Sequence, residues 1–348
     1  MTSIQIIFIG IPIIIILSYI GVGEIRKWAD RRNVLDIPNE RSSHSKPTPK
    51  GGGIVIVCFT LIGLVLTKLA LNIEIDSLFL SIYIICSILI AGISLLDDIY
   101  TLKNSIRFAV QGVAAILIIY YIGSLQDIYI PLIGTIPLGW LGYLIAFIWL
   151  TGLTNVYNFM DGIDGIAAIQ AIAASLGWLV VGFLVNDPFI FITGMLLLAT
   201  NLGFIFHNWQ PARIFMGDVG SAFIGFSFAF LTVYAYSIDA RLFITGVLFV
   251  WPFIFDGAYT LCRRILKKEN IFQAHRSHLY QRLVVSGSSH RFVSILYGIL
   301  ALVGVIIGLS VYTGNLIVQI ISFILLIILC VYLLAFVLRR EMKLLVQG

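Results

Sequence analysis

The sequence predicts an all-α, polytopic integral membrane protein, on the basis of its composition and the length of its apolar runs. Of its 348 residues, 60% are hydrophobic and only 11% are charged, whereas soluble domains carry roughly 25% charged residues. The mean hydropathy is +1.04. Apolar runs of about 20 residues, each able to cross roughly 30 Å of hydrocarbon as a helix, recur along the chain. We therefore predict one transmembrane domain, residues 1–348.

Turn and polar residues divide the chain into about eleven predicted spans. Their approximate limits are 3–23, 52–70, 77–95, 106–122, 139–155, 165–184, 189–206, 219–236, 242–260, 292–311 and 317–337. No basic segment or small-residue cleavage site accompanies the first run, so we predict a retained helix rather than a removed signal. The four cysteines form no CxxC pair, which indicates neither a disulfide framework nor a zinc site.

Lys and Arg concentrate on one side of this predicted topology. Residues 24–50 and 261–291 hold seven each, and 20 of the 22 basic residues lie in connections on that side. The positive-inside rule makes that side cytoplasmic, with a periplasmic N-terminus and a cytoplasmic C-terminus. The unusual acidic clusters fall on the same side. An enzyme that joins a soluble donor to a membrane lipid would be built in this way.

The least expected stretch is Asn155–Ala167, which places polar side chains and glycines between apolar runs. A carboxylate in hydrocarbon costs several kcal/mol, so such residues are usually functional or solvated. Asp161 and Asp164 would share a helix face. Together with Asn155 and Asn158 they suit a divalent metal and a phosphorylated ligand. The alternative is a polar loop whose Asp and Asn cap the next helix.

Two further acidic motifs lie at predicted helix ends. Asp97 and Asp98 would point about 100° apart on a helix, so one could hold a metal while the other faces a second substrate. Repulsion between the two carboxylates also tends to raise the pKa of one of them, which suits a general base. The alternative is that both carboxylates are simply solvated at a helix end. Asp218 begins a helix and could be a metal ligand beside a phosphate, or a cap. Phe215 could stack on a base or simply pack.

Two basic segments could contact phosphates. Residues 33–53 hold Lys46 and Lys50 before three glycines, which favours either lipid-headgroup binding or closure over an anionic ligand. Residues 274–283 have no further zinc ligand nearby, so phosphate contact fits better than a metal, with an ordinary lipid-facing loop as the alternative. The candidate contacts in that segment are His275, Arg276 and His278.

Other protein classes make different predictions. A proton-coupled secondary transporter would place acids near mid-bilayer and show an inverted repeat. Here the main acids sit at span ends on one face and no repeat is visible. Asp256 is a further membrane-level carboxylate, and we expect it to pair with Arg263, Arg264 or a basic residue of another span. The CDP-alcohol phosphotransferases carry an Arg soon after their first Asp-Gly, but here Ile166 and Ala167 follow the last one.

Taken in order and spacing, three motifs resemble the polyprenyl-phosphate N-acetylhexosamine-1-phosphate transferase superfamily, of the glycosyltransferase family 4 type. They are LLDD at 95–98, NxxNFMDGIDGIA at 155–167 and PARIFMGDVGS at 211–221. The similarity runs from about residue 33 to residue 283. Each motif is weak alone, and the ordered set is specific.

The resemblance also extends to a branch of that superfamily. DIPNERSSHSKPTPKGGG at 36–53 and AHRSHLYQRL at 274–283 resemble the enzymes that initiate O-antigen synthesis with N-acetylfucosamine or N-acetylquinovosamine phosphate. The phospho-MurNAc-pentapeptide transferase of peptidoglycan synthesis carries consecutive histidines. Here two residues separate His275 from His278, so that enzyme is kept as the alternative.

The resemblance implies transfer of a sugar 1-phosphate from a UDP-N-acetylhexosamine to undecaprenyl phosphate, with release of UMP, at the cytoplasmic face of the bacterial inner membrane. It implies Mg²⁺, for which Mn²⁺ could substitute, held by Asp218 and Asp98. Asp97 would act as base or orienting group for the lipid phosphate. Direct attack on the β-phosphorus is favoured, and a two-step route stays open. We expect no nucleic-acid partner, and a homodimer is compatible with the family.

The resemblance also assigns roles to the remaining candidates. The catalytic acids would be Asp97, Asp98, Asp161 and Asp164. The residues expected to bind the nucleotide and its phosphates are Lys46, Asn155, Asn158, Phe215, His275, Arg276 and His278.

Overall fold

The computed structural model describes residues 3–38, 46–131, 133–270 and 276–347, with side chains described between residues 9 and 344. Helices form most of the described chain, which confirms the all-α prediction. They are α1 (Ser3–Arg32), α2 (Gly53–Leu71), α3 (Ser77–Tyr100), α4 (Asn104–Ile122), α5 (Leu141–Phe159), α6 (Ile166–Leu184), α7 (Pro188–Asn208), α8 (Asp218–Ile238), α9 (Arg241–Phe249), α10 (Trp251–Leu266), α11 (Leu279–Val285), α12 (His290–Thr313) and α13 (Leu316–Gln347). Two antiparallel hairpins pair β1 (Leu35–Asp36) with β2 (Thr48–Pro49), and β3 (Asp127–Ile130) with β4 (Gly134–Pro137).

Fewer helices have the length and composition of a membrane span than the sequence predicts. Over the described ranges, nine helices are long and apolar enough to cross a membrane, and α9 with α10 makes a tenth if this bent pair is one span. The prediction treated residues 242–260 as straight, but the chain bends by 78° there, where Pro252 lacks the N–H that would continue α9. The other difference is α5, whose last turns carry Asn155 and Asn158 and are less apolar. The polytopic class is confirmed.

The centre of the molecule is formed by α6, α7 and α8, most of whose residues are buried, whereas α1 and α13 are mostly exposed at the periphery. Aromatic side chains fill the space between α3, α7 and α8. Phe79, Tyr83, Phe189 and Phe230 contact one another there. Such contacts stabilise helix packing in a membrane, because lipid supplies no hydrophobic drive between helices.

The N-terminal ends of α2 and α8 are in backbone contact, which determines where the acidic motifs meet. The Gly52 and Gly53 N–H groups donate to the carbonyls of Phe215 and Met216 at 3.0 and 2.9 Å. A side chain at Gly53 would overlap the backbone of Gly220. These glycines therefore allow an approach that brings the segment after β2 against the start of α8.

At the opposite ends of the helices, carboxylates serve as caps. Asp76 caps α3 through a backbone N–H at 2.6 Å and accepts from the Tyr121 hydroxyl at 2.9 Å. Asp187 caps α7 at 2.8 Å and accepts from the Tyr234 hydroxyl at 2.8 Å. These two acids accept hydrogen bonds from the N–H groups that begin α3 and α7 and from tyrosine hydroxyls, so they act as helix caps.

Candidate active site

Arg107, in the first turn of α4, joins three of the sequence motifs. Its guanidinium contacts Asp97 at 2.5 Å and Asp218 at 3.1 Å, and donates to the Asn158 amide oxygen at 3.2 Å. Asp97 ends α3, Asn158 ends α5 and Asp218 begins α8. Acidic motifs separated by up to 121 residues thus converge on one arginine, whose planar fork matches several acceptors at once.

Asp98 points away from its neighbour Asp97, as the helical geometry predicts. Its carboxylate contacts Lys50 at 3.5 Å and accepts from the Val219 N–H at 3.2 Å. A side chain at Gly217 would lie 2.9 Å from the Asp98 Oδ2, and Gly217 has a φ of +77°. Glycine at this position therefore lets the carboxylate reach the start of α8.

The two asparagines lie one helical turn apart at the end of α5. Asn158 donates to the Ser221 hydroxyl at 3.0 Å and so links α5 to α8. Asn155 exchanges hydrogen bonds with Gln111 at 2.6 and 3.3 Å and donates to the Thr151 carbonyl at 2.8 Å. Asn158 lies within the acidic cluster, whereas Asn155 supports the contact between α4 and α5 beneath it.

Asp161 is half-buried in the loop between α5 and α6. Desolvation, and then the neighbouring carboxylates Asp218 and Asp98, raise the pKa of Asp161 well above its ordinary value. A group that is repelled by like charges would gain from a bound cation. The site is therefore electrostatically prepared for positive charge.

Asp164 makes structural contacts instead. Its carboxylate accepts from the Ala212 N–H at 3.1 Å and lies 3.4 Å from the His290 ring. Its backbone carbonyl accepts from the Ser294 hydroxyl at 2.7 Å. Asp164 therefore ties the loop that carries Asp161 to the segment before α8 and to the start of α12.

The chain just before α8 pairs briefly with the end of the first basic segment, residues 33–53. Phe215 pairs with Lys50 in a parallel bridge, and its N–H donates to the Pro49 carbonyl at 2.8 Å. The Phe215 ring is half-buried beside the cluster. Lys46 is exposed. The sequence prediction selected Lys46, but the lysine that contacts Asp98 is Lys50, which the β1–β2 hairpin directs toward the start of α8.

The second basic segment is held by a buried acid. Asp256 contacts the His278 ring at 3.0 Å, so the expected pairing with Arg263 or Arg264 is wrong. Arg264 instead pairs with Glu269 at 3.3 Å, because it lies about two helical turns after Asp256 in α10, near the end of the helix. Two further candidates belong to this segment: Arg276 is half-buried, and His275 lies outside the described residues.

Sequence reasoning missed several residues of this site. The motifs do not include Arg107 or Gln111, although both lie in the first half of an apolar helix that starts on the predicted basic side, which is the signal that could have identified them. Ser221 and His290 carry no such signal, because single Ser and His residues near helix ends are common caps and surface groups. Only the packing of α5, α8 and α12 reveals their contacts.

The residues present fit a divalent cation completed by a phosphorylated ligand. Over the ranges that the structure covers, no three His, Cys, Asp or Glu side chains form a ready-made metal group. Mg²⁺, however, is usually held by one or two carboxylates plus substrate phosphates. Asp98 and Asp218 supply two such carboxylates. The cluster also contains Asp97 and Asp161, and among the residues that the structure describes the cations in contact with its carboxylates are Arg107 and Lys50, so that negative charge is in excess there.

The raised pKa of Asp161 predicts a pH-dependent stability. Because the folded state binds this proton more tightly than the unfolded chain, the free energy of unfolding falls as pH rises from the ordinary Asp value through the folded-state pKa. Asp161→Asn, which is neutral at every pH, should melt at a higher temperature than wild type at pH 8, with the difference shrinking toward pH 4. Thermal unfolding of ligand-free protein in detergent measures this. If the melting temperatures of the two proteins changed in parallel with pH, the pKa of Asp161 would not be raised in the folded protein.

A helical membrane protein that gathers carboxylates, an arginine and a lysine at one end of its helices has the architecture of a membrane-embedded transferase of phosphorylated ligands. Residues 80–236 match the family model described as glycosyl transferase family 4. A probable undecaprenyl-phosphate N-acetylglucosaminyl 1-phosphate transferase of Bacillus subtilis (strain 168) is 30% identical over 289 residues, which cover 82% of this chain and 78% of the relative.

Other relatives agree. The undecaprenyl-phosphate alpha-N-acetylglucosaminyl 1-phosphate transferase of Salmonella typhi is 26% identical, over 80% of this chain and 78% of its own. The phospho-N-acetylmuramoyl-pentapeptide-transferase of Latilactobacillus sakei is 28% identical, over 69% and 78%. The chain belongs to the polyprenyl-phosphate N-acetylhexosamine-1-phosphate transferase superfamily and is a multi-pass membrane transferase, as the sequence motifs predicted.

Proposed function

We propose that this enzyme transfers a HexNAc 1-phosphate from a UDP-sugar to undecaprenyl phosphate, giving undecaprenyl-diphosphate-sugar and UMP. The observation that carries the proposal is the convergence of Asp97, Asn158 and Asp218 on Arg107, with Asp98 and Lys50 alongside. Phosphoryl transfer needs positioning and charge stabilisation more than covalent chemistry. A cluster that can hold a cation and two phosphorylated substrates meets that need.

The reaction is a displacement at the β-phosphorus of the donor. An oxygen of the lipid phosphate forms the new P–O bond, and the bond between the β-phosphorus and the bridging oxygen breaks, so that UMP leaves with the electron pair. A bound Mg²⁺, which Mn²⁺ could replace, would neutralise the diphosphate as charge moves onto UMP. Asp218 and Asp98 would hold it.

The chain's own residues then orient the two substrates. Asp97 is committed to Arg107 and to the Leu102 N–H at 2.6 Å, which suits an orienting role better than proton removal. A phosphate monoester is mostly ionised at neutral pH, so its attack needs no strong base. Arg107 and Lys50 can shift from the protein carboxylates to substrate phosphate oxygens, because a phosphate offers acceptors of the same kind. A two-step route through an aspartyl phosphate stays the alternative mechanism.

The donor would lie against the end of α5 and the start of α8. Asn158 and Asp161 would bind the nucleotide, and Phe215 would stack on uracil, while Asn155 and Asp164 keep these groups in place. The two basic segments would contact the phosphates. Their proposed contributors are Lys46, His275, Arg276 and His278.

Two sets of similarities bear on the identity of the sugar. The segments 36–53 and 274–283 favour N-acetylfucosamine or N-acetylquinovosamine phosphate and a role in initiating O-antigen or another cell-surface polysaccharide. The names of the relatives from Bacillus subtilis and Salmonella typhi favour N-acetylglucosamine. The phospho-MurNAc-pentapeptide transferase activity of the Latilactobacillus sakei relative is the second candidate. A panel of these UDP-sugars separates the possibilities.

The basic residues support a cytoplasmic active site in the bacterial inner membrane. The cluster lies at the end of the helices that carries the segments rich in Lys and Arg, which the positive-inside rule assigns to the cytoplasm. The N-terminus would then be periplasmic if the number of spans is odd. A cysteine placed at residue 103 should be labelled by a membrane-impermeant reagent only after the membrane is opened.

The decisive experiment measures UMP release by purified protein. We expect release only when a UDP-HexNAc, undecaprenyl phosphate and Mg²⁺ are all present, with the product extracted as a lipid-linked sugar. UMP release without the lipid would indicate hydrolysis instead. Proton or solute uptake by proteoliposomes without UMP release would favour the transporter alternative, and no turnover with any UDP-HexNAc would overturn the proposal.

A further inference from the structure

Asp256 is a fully buried carboxylate in α10, and donors approach both of its oxygens. Oδ1 accepts from the Leu279 N–H at 2.8 Å and lies 3.0 Å from the His278 Nδ1. Oδ2 accepts from the Tyr280 N–H at 3.0 Å and from the Tyr297 hydroxyl at 2.5 Å. The acid therefore joins α10, α11 and α12 at a single point.

Two of these donors are N–H groups of the first turn of α11. The helix has only seven residues, and so short a helix is not stable by itself, because nucleation is costly. Its orphan N-terminal N–H groups need acceptors. Asp256 supplies them from a different helix and so determines where α11 begins.

The contact with His278 has a chemical consequence. An ionised carboxylate can only accept, so its contact with the His278 Nδ1 favours the tautomer that carries the proton on that nitrogen. A carboxylate behind an imidazole fixes the tautomer and the orientation of the ring, and at histidines that hold a metal the removal of such a partner typically costs 10–100-fold in activity or metal affinity.

Tyr280 connects this network to the acidic cluster. Its hydroxyl donates to the Phe159 carbonyl at 3.0 Å, at the end of α5. A side chain at Gly162 would overlap that hydroxyl, so the tyrosine packs directly on the loop at residues 160–165. Tyr280 also lies within electrostatic range of both Asp256 and Asp161. A shift of α11 would therefore displace the loop that carries Asp161.

We infer that Asp256 is a positioning residue. It holds the His278 imidazole in one tautomer and fixes the first turn of α11 against the loop at residues 160–165. The catalytic consequence rests on the proposed function, whereas the tautomer and the position of α11 do not. Asp256→Asn cannot replace the acid, because each oxygen accepts an α11 N–H and one of them would face the amide NH₂.

The first test is independent of catalysis. In ¹⁵N-histidine-labelled protein in nanodiscs, the signal lost in His278→Gln identifies His278. Its ring nitrogens should show a protonated Nδ1 in wild type and a changed tautomer population in Asp256→Asn. An identical ¹⁵N signature in wild type and Asp256→Asn would overturn the inference, whether or not the enzyme has the proposed activity.

The second test is a double-mutant cycle on turnover. Asp256→Asn should lower turnover per folded molecule by roughly 10–100-fold. In the His278→Gln background the same change should cost much less, because residues that act as one unit are not additive. Full additivity of the two losses would show that Asp256 does not act through His278.

Two variants control for a general loss of structure. Tyr297→Phe removes one donor from the same carboxylate but keeps the contacts to His278 and α11, and should retain turnover within about threefold. Asp187→Asn changes a carboxylate with equivalent partners, a backbone N–H and a tyrosine hydroxyl, at the opposite helix ends, and should leave turnover unchanged. A loss in Tyr297→Phe equal to that in Asp256→Asn would reduce the network to a packing role.

Discussion

Arg107→Gln should lower turnover by roughly 10³-fold or more, the effect expected when an arginine that stabilises phosphoryl transfer is removed. Among the described residues, Arg107 is the cation in contact with both Asp97 and Asp218. Glutamine keeps a hydrogen-bonding amide but loses the charge and the planar fork. The carboxylates of α3 and α8 would then repel each other without a bridge, and the guanidinium of Arg107 would no longer be available to the substrate phosphates. UMP release per folded molecule, at saturating substrates, measures the change.

Two matched variants interpret that result. Arg107→Lys restores the charge but, as a compact ammonium, cannot contact three acceptors in one plane, so we expect intermediate turnover. Lys103→Gln removes an exposed charge four residues earlier and should have little effect. If Arg107→Gln turned over within about threefold of wild type, the arginine would be a structural link only, and the mechanism would need another cation.

The helices could be predicted because the membrane imposes a length on each apolar run. The limits of α2, α3, α4 and α6 to α8 agree with the sequence to within a few residues at most ends. Apolar length does not report a bend, however. The run at residues 242–260 is continuous, and the break at Val250 follows from Pro252 and from packing against α12. The helical extensions of α1 and α13 beyond the apolar region were missed for a similar reason, because polar turns continue a helix without any hydropathy signal.

The site could be predicted as a set of motifs but not as a set of contacts. Asp98 and Asp218 are conspicuous because acids are costly near hydrocarbon, and the Asp98 carboxylate does reach the start of α8, where it accepts from the N–H of Val219, the residue after Asp218. Asp164 is equally conspicuous, yet its carboxylate accepts from the Ala212 N–H. Sequence cannot distinguish these cases, since a cap and a ligand use the same oxygen atoms. The choice between Lys46 and Lys50 depended likewise on the β1–β2 hairpin, whose two-residue strands carry too little pattern to predict.

Asp218→Asn should separate activity from stability. The carboxylate lies at the start of α8, one-third exposed, between Arg107 and the acidic groups of Asp98 and Asp161. Under the proposed function Asp218 is a metal ligand, and its loss would remove several kcal/mol of transition-state stabilisation, so turnover should fall by roughly 10³-fold. The ligand-free protein, by contrast, loses a like-charge repulsion. We therefore expect its melting temperature to be equal to that of wild type or higher. Such a result is common when a functional site is destabilising in the absence of its ligand.

Metal addition provides a readout that does not depend on turnover. Mg²⁺ together with the UDP-sugar should raise the melting temperature of wild type, because a ligand that binds only the folded state stabilises it by mass action. That rise should be largely lost in Asp218→Asn and reduced in Asp98→Asn. Asp76→Asn, which alters a helix cap at the opposite ends, should retain it. If Asp218→Asn kept both the magnesium-dependent rise and normal turnover, the metal would have to be held elsewhere, and the convergence of the acidic motifs on Arg107 would serve the packing of α3, α5 and α8 alone.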